Sequence, residues 1–204
     1  MKKTLGLHAG IWIIIVIIII TTIMYFTKQN NNIQPVPVAT NGVPSIVVPS
    51  DYKIDSSYIY QALGPGKDIL GTKFTIPDSI ATGTNLSNDS YISLEQIPLS
   101  NSTTTTSSEL QKCSASLFLN PGVKPTSVVD SGITYSFASS SDAGAGNRYD
   151  ETVYAVPGTN PCIAVRYFIH YGAFENYPEG SIVKFNEQEI INKFDKIRQT
   201  LIFK

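Results

Sequence analysis

The predicted fold is decided by the stretch CIAVRYFIHY, residues 162–171 of the chain. Successive side chains of an extended strand point to opposite faces, so this stretch divides into two sets. One face would carry Ile163, Val165, Tyr167, Ile169 and Tyr171, and the other Cys162, Ala164, Arg166, Phe168 and His170. Because both sets contain bulky groups, the stretch predicts a central strand that is covered at least partly on both sides.

Neighbouring segments supply strand partners for this stretch. Residues 148–156 precede it across the turn PGTNP at 157–161, and this arrangement predicts an antiparallel hairpin. Segments with alternating apolar and polar residues at 69–76, 90–96 and 132–137 predict further strands. The second half of the chain is therefore expected to be rich in antiparallel pairing.

The C-terminal segment has the pattern of an amphipathic helix. Asn186 is a good N-cap residue, and Glu189 follows three positions later, as in a capping box. The apolar positions that follow share one helix face: Ile190, Phe194, Ile197 and Leu201. We therefore predict an α+β fold, in which an antiparallel sheet is packed by a C-terminal amphipathic helix in an αβα sandwich-like arrangement, preceded by one transmembrane helix.

The transmembrane helix is predicted from the apolar run at residues 11–26. Residues 4–27 carry no formal charge, and as a helix they would span roughly 36 Å, enough for a hydrocarbon core of about 30 Å. With Lys2 and Lys3 on the N-terminal side, the positive-inside rule predicts a cytoplasmic N-terminus and an exported remainder. A cleaved signal peptide is the alternative interpretation.

Composition divides the chain into three expected segments. Residues 1–27 would form the signal anchor of a single-pass cell-membrane protein. Residues 28–50 are rich in proline and asparagine, which predicts an extended linker because proline holds the chain stiff and removes hydrogen-bond donors. Residues 51–204 would form one extracytoplasmic domain, since their number suits a single core.

The two cysteines, Cys113 and Cys162, both fall in this predicted domain. In an oxidising compartment an even number of cysteines usually indicates a disulfide. A bond between them would close a loop of about 50 residues, worth roughly 4 kcal/mol in the chain-entropy model. Two buried free thiols are the alternative.

Four features occur in a recognisable order along the chain. They are a strand ending in Phe-Thr-Ile-Pro at 74–77, a strand at 90–95, a tyrosine-rich hairpin and a final helix at 194–203. In these features the chain resembles extracytoplasmic PsbP/Mog1-like domains. The resemblance implies an αβα sandwich and a non-catalytic accessory or assembly role. The cysteine pair is not part of that pattern, which leaves room for a separate bacterial envelope family.

Charge and histidine content limit the chemistry that the chain can perform. The net charge is -1 with no basic stripe, which argues against a nucleic-acid binder. His170 is the only histidine beyond the anchor, which disfavours a Ser-His-Asp site or a zinc site. Asp150 and Glu151 would point to opposite faces of a strand, so we expect Asp150 to form a surface ion pair with Arg148 or Arg166. We predict no catalytic residue, no metal ligand and no cofactor.

Tyrosine is concentrated in the second half of the chain, where it suits either recognition or half-buried strands. The candidate binding surface lies on the predicted hairpin and comprises Arg148, Tyr154, Arg166, His170 and Tyr171. We expect a membrane-anchored, non-enzymatic module that binds or assembles with an envelope protein or a glycan, with no nucleic acid as partner. Two alternatives are a glycan-directed hydrolase that uses carboxylates and a structural spacer.

Overall fold

The structure, a computed structural model, describes residues 36–40, 43–99 and 112–203. The strands in these residues are β1 (Val36–Thr40), β2 (Val43–Val48), β3 (Lys53–Asp55), β4 (Ile59–Tyr60), β5 (Ile69–Thr75), β6 (Tyr91–Ile97), β7 (Thr126–Asp130), β8 (Ile133–Gly144), β9 (Asn147–Ala155) and β10 (Cys162–Gly172). The helices are α1 (Asp78–Ala81) and α2 (Glu187–Arg198), with short 3-10 turns at Ala115–Leu117 and Phe174–Asn176.

Eight of these strands form one antiparallel sheet, in the order β3-β5-β6-β10-β9-β8-β7, with β4 also paired to β5. β10 lies near the middle, between β6 and β9. Its first six residues are buried on both faces, whereas Phe168, His170 and Tyr171 are half-buried, which confirms the prediction that this stretch is a central strand covered at least partly on both sides. The remaining strands, β1 and β2, pair with each other.

One side of the sheet, here called the helix face, is covered by α2 and β2. Phe194 and Ile197 of α2 are buried in the same core cluster as Val165 and Tyr167 of β10. The helix begins where the sequence predicts, because the Asn186 side chain accepts a hydrogen bond from the Glu189 backbone N–H at 3.3 Å. This core holds most of the buried apolar side chains.

The other side, here called the disulfide face, is covered at one end by the segment 112–119. This segment contains only a 3-10 turn, and Phe118 within it is fully buried. The strands beneath it present small residues, among them Ala138, Ala155 and Ala164, so a thin irregular segment can pack closely where a helix would stand too far away.

The predicted fold class is therefore wrong. The structure is mostly antiparallel β-sheet, more β-rich than an α+β fold, and a helix packs on one face where the αβα sandwich-like arrangement needs helices on both. The predicted C-terminal helix is present as α2. The physical reason for the error is that small side chains on the disulfide face, together with the cysteine bond, select a flat cover for that face.

The linker predicted at 28–50 is also wrong at its C-terminal end. Val43–Val48 forms β2, with Ile46 and Val48 at 0% and 1% exposure in the core. Ser45 and Ile202 exchange backbone hydrogen bonds at 3.0 and 3.2 Å. The packed domain therefore begins before the predicted boundary at residue 51, because a proline-containing strand can still bury its alternate side chains.

The predicted anchor at 1–27 lies outside the described residues. Within the part of the chain that the structure describes, no helix is both long and apolar enough to cross a bilayer. This finding runs against the predicted single-pass anchoring and the membrane localisation that depends on it.

Candidate functional site

The five residues of the predicted binding surface do not form one surface. In the register of β9 and β10, Tyr171 lies opposite Arg148, and His170 lies opposite Tyr149. Arg148, Tyr154 and Tyr171 therefore belong to the helix face, whereas Arg166 and His170 belong to the disulfide face. The sheet separates the two groups.

Arg166 is not at the surface at all, because its side chain is 0% exposed. Its Nε and Nη2 donate to the two Glu95 carboxylate oxygens at 2.8 and 3.0 Å, and Nη2 also donates to the Phe118 carbonyl at 2.7 Å. Nη1 donates to Glu151. The guanidinium also lies 3.7 Å from the centre of the Tyr60 ring. Arg166 thus ties the covering segment to the sheet.

The same cluster shows how burial and charge act on ionisation. Burial alone would lower the pKa of Arg166, but the Glu95 carboxylate and its hydrogen bonds, together with Glu151, raise that pKa above its ordinary value. Burial also raises the pKa of Tyr60, whose hydroxyl donates to both Glu151 oxygens at 2.9 Å. The ion pair is therefore buried, and it involves Glu151 where the sequence predicted a surface pair with Asp150.

Tyr154 and Tyr171 are half-buried parts of the helix face. The Tyr154 ring lies 5.2 Å from Tyr167 and 4.0 Å from the Arg198 guanidinium. Tyr171 packs on Phe185 at 4.9 Å, and burial, followed by its hydrogen bond to Asp150, raises the pKa of Tyr171 to about 12. Both tyrosines therefore stabilise the packing of half-buried strands, which is one of the two roles that the sequence suggested for tyrosine, the other being recognition.

The predicted disulfide is confirmed. Cys113 and Cys162 are bonded, with their Cα atoms 5.0 Å apart, and both lie in the core cluster of the disulfide face. The bond holds the segment 112–119 against the start of β10. Both cysteines of the chain lie among the described residues, and neither is free.

His170 lies at the opposite end of the disulfide face. Its Nδ1 is 2.7 Å from Asp89 Oδ1, its Nε2 is 3.2 Å from Asn147 Oδ1, and its ring stacks on Tyr149 at 4.6 Å. Ser90 Oγ hydrogen-bonds the His170 backbone rather than its ring. Both ring nitrogens thus face polar partners, and neither faces a hydroxyl or thiol nucleophile among the described residues.

A polar cleft of about 370 Å³ opens beside His170. The residues that line it are Asp78, Ala81, Thr82, Asn85, Leu86, Ser87, Asn88, Asn147, Gly172 and Tyr177. They come from α1, the segment after it, the start of β9, the end of β10 and the loop that follows. We call this feature the polar cleft.

The floor of the polar cleft is built by backbone pairing. Residues 85–87 run antiparallel to the end of β10, where the Ser87 N–H donates to the His170 carbonyl at 2.8 Å and the Gly172 N–H donates to the Asn85 carbonyl at 2.9 Å. The buried Asn85 side chain donates to the Gly172 carbonyl at 2.8 Å and accepts from the Phe185 N–H at 2.9 Å. Asn85 is therefore structural, and it fixes the geometry of the cleft.

Gly172 allows Tyr177 to form one wall of the cleft. A Cβ at Gly172 would lie 2.9 Å from Tyr177 Cε2 and closer still to its hydroxyl oxygen. Such a contact would force the tyrosine to move. The absence of a side chain at Gly172, the last residue of β10, thus allows the position of the Tyr177 ring, and Tyr177 is 38% exposed.

The polar cleft carries little net charge. Among the described residues, Asp78 is the only one lining the cleft with a formal charge, and the Lys53 ammonium lies 3.2 Å from this carboxylate. The other polar lining groups are amides and hydroxyls, which include Asn88, Asn147 and Thr82. Across the described residues, no group of three or more His, Cys, Asp or Glu side chains is placed to hold a metal ion.

Two sets of residues of functional interest were not predicted from the sequence: Glu95 in the buried cluster, and the residues that meet in the polar cleft. Glu95 had a usable signal, because a carboxylate in the apolar strand Tyr91–Ile97 requires a cationic partner if it is buried. Asn88, Asn147 and Tyr177 had no such signal, since they come together only through the fold.

Comparison with known proteins does not assign this chain to a family. No family model matches the chain, and no curated protein matches it either. One solved crystal structure, from Bacteroides thetaiotaomicron VPI-5482, is similar at a TM-score of 0.44 and 14% identity, over 84% of this chain and 49% of that one. The chain thus spans about half the length of that structure, and a likeness at this level carries no conclusion. The resemblance to PsbP/Mog1-like domains stays a prediction.

Proposed function

We propose that this protein is a non-enzymatic binding module and that the polar cleft is its ligand site. The observation that carries the proposal is a cleft of about 370 Å³, within the size range of small-molecule sites, with walls of amides, hydroxyls and one aromatic ring. The ligand class that fits this lining is neutral and rich in hydroxyl groups, as a glycan is.

The chemistry of the lining supports this class. An asparagine amide both donates and accepts hydrogen bonds, so Asn88 and Asn147 can match sugar hydroxyls in either direction. The Thr82 hydroxyl donates to the Asp78 carbonyl at 2.8 Å, so it can accept a hydrogen bond from a sugar hydroxyl. Tyr177 offers an apolar ring with a polar tip. Because Lys53 balances Asp78, a strongly charged ligand would gain little electrostatic energy here.

The placement of the carboxylates weighs against the hydrolase alternative. Glycosidases need two carboxyl groups that flank the substrate bond. Glu95 and Glu151 do converge, but on the buried Arg166 guanidinium, and the Glu95 side chain is 0% exposed. A substrate could not reach this pair without displacing Phe118 and the segment around it.

The proposal is tested by titrating the full-length protein with defined oligosaccharides in a calorimeter. We expect chitotriose or cellotriose to bind, and a trimer of galacturonic acid to bind more weakly because it is charged. In Asn88→Ala, the affinity for the neutral trimer should fall by up to about tenfold, as for one lost hydrogen bond. Gly172→Ala should reduce it as well, because Tyr177 is displaced.

Asn192→Ala is the matched control, since Asn192 is an exposed asparagine on α2, away from the cleft lining. It should bind as the unmodified protein does. If neither neutral trimer binds, or if the cleft variants bind as the control does, the polar cleft is not a glycan site.

A further inference from the structure

β7 is an edge strand whose outer side has no partner among the described residues. Residues 126–129 are exposed and Asp130 is half-buried, with Val129 at 70% exposure. Natural edge strands are usually protected by lysine, proline or a bulge. None of these occurs within Thr126–Asp130, and the register with β8 runs without interruption.

The hairpin turn determines which backbone groups of β7 point outward. Ser131 and Gly132 connect β7 to β8 with positive φ angles of 49° and 79°, as in a two-residue type I′ turn. The flanking pair, Asp130 and Ile133, then exchanges both hydrogen bonds, and pairs alternate from there. Val128 and Thr126 consequently bond to β8, whereas Ser127 and Val129 direct their N–H and C=O groups outward.

β7 is complementary to itself when a second copy runs antiparallel with Val128 at the centre. Ser127 of each copy then lies opposite Val129 of the other, and both pairs exchange two hydrogen bonds, four in all. Val128 lies opposite its own counterpart, a favourable pair of β-branched residues. A register centred on Ser127 would instead bring Val129 opposite Pro125, which has no N–H to donate.

Side-chain charges favour the same register. Thr126 would lie opposite Asp130 of the other copy, where its hydroxyl can donate to the carboxylate. Lys124, exposed just before the strand, would lie diagonally from that Asp130, within reach of a long side chain. No two like charges face each other, so the pairing is complementary in charge as well as in backbone pattern.

We propose that two copies of this chain associate through β7, joining their sheets into one continuous antiparallel sheet across a two-fold axis. The interface is isologous, because the same strand serves both copies. Two five-residue strands bury less area than the roughly 1,200 Å² of a stable interface. The dimer is therefore reversible and forms at high protein concentration.

The test is sedimentation equilibrium of the full-length protein over a wide concentration range. We expect a monomer–dimer equilibrium that Val129→Pro shifts at least about tenfold towards monomer, because the ring removes an outward N–H and obstructs the edge. β7 should stay paired to β8 in this variant, since that N–H does not bond to β8. Its thermal unfolding is measured alongside, and cooperative unfolding at an unchanged midpoint shows that the fold is intact.

Val129→Thr is the matched control, because threonine keeps the β-branched shape and the N–H, and it should dimerise as the unmodified protein does. Amide hydrogen exchange adds a second readout: Ser127 and Val129 should slow with concentration, while the exchange of Val128 stays unchanged. The proposal is overturned by a monomer at every concentration, by a dimer insensitive to Val129→Pro, or by a dimer in which the Ser127 and Val129 amides stay unprotected.

Discussion

Arg166 and His170 lie four positions apart on the same face of β10, yet their surroundings differ in kind. Arg166 is completely buried between Glu95 and Glu151, under the segment 112–119. His170 is half-buried, and its ring nitrogens lie near Asp89 and Asn147, the second of which lines the polar cleft. The alternation that places both on one face is local, but burial depends on what covers each position.

The residue-scale prediction concerns Arg166→Met. Methionine would leave the Glu95 and Glu151 carboxylates without their cationic partner in the interior, and breaking a buried pair in this way costs about 3–5 kcal/mol. The free energy of unfolding, measured by urea titration, should fall by that amount.

The comparison for this variant is Arg148→Met, because Arg148 is an exposed arginine on the neighbouring strand. Its free energy of unfolding should change by less than about 0.5 kcal/mol. If Arg166→Met proved as mild as Arg148→Met, the buried cluster would have no stabilising role.

At the scale of the elements, the helix α2 was predicted from the sequence, but the contacts that attach it to the sheet were not. Asn186 and the apolar stripe predict the helix, because capping and periodicity involve residues close in sequence. The attachment relies on Arg198, whose Nη2 donates to Asp130 at 2.6 Å and to Asp195 at 2.9 Å, while its Nε donates to the Tyr167 hydroxyl at 2.7 Å. A bond that joins the helix to β7, 68 residues away, has no local signal.

The element-scale prediction uses pH to probe this attachment. Hydrogen bonds from Gln199 and then Arg198 hold the pKa of Asp130 below its usual range. A carboxyl with a depressed folded pKa stabilises the fold above its unfolded pKa of about 3.9 and loses that contribution as pH falls through the folded pKa. Asp130→Asn should therefore be less stable than the unmodified protein at pH 7, by about 1 kcal/mol, and the difference should shrink towards pH 2.

Urea titrations from pH 7 to pH 2 measure this difference directly. Asp68→Asn is the control, since Asp68 is exposed, and its small effect should not vary in the same way. A difference for Asp130→Asn that stayed constant down to pH 2 would show that the carboxylate charge does not hold α2 to β7.

At the scale of the whole molecule, β2 and α2 close the same core although they lie far apart in the chain. Ile46 and Val48 of β2 belong to the cluster that contains Phe194 and Leu201, and the Thr200 hydroxyl accepts from the Val47 N–H at 2.7 Å. The sequence predicted a linker up to residue 50, because prolines dominate that stretch. The partner that makes β2 a core strand is more than 150 residues away.

The whole-molecule prediction compares two shortened chains. A chain that starts at residue 51 should lose the burial of Ile46 and Val48, each worth about 1.5–3 kcal/mol, and should unfold at a clearly lower temperature than a chain that starts at residue 36. If the two chains unfolded at the same midpoint temperature, β2 would make no contribution to stability, as expected for a linker.

The sequence by itself determined the central strand at 162–171, the helix at the C-terminus and the cysteine pair. Periodicity and capping involve residues that are close in sequence, and an even number of cysteines can be counted without any knowledge of the structure. Only the tertiary structure decided that the disulfide face is covered by a thin segment and that Arg166 is buried on Glu95. It also decided that Asn88, Asn147 and Tyr177 meet in one cleft. These features depend on contacts between residues far apart in the chain, and such contacts exist only after the sheet has brought its strands into register.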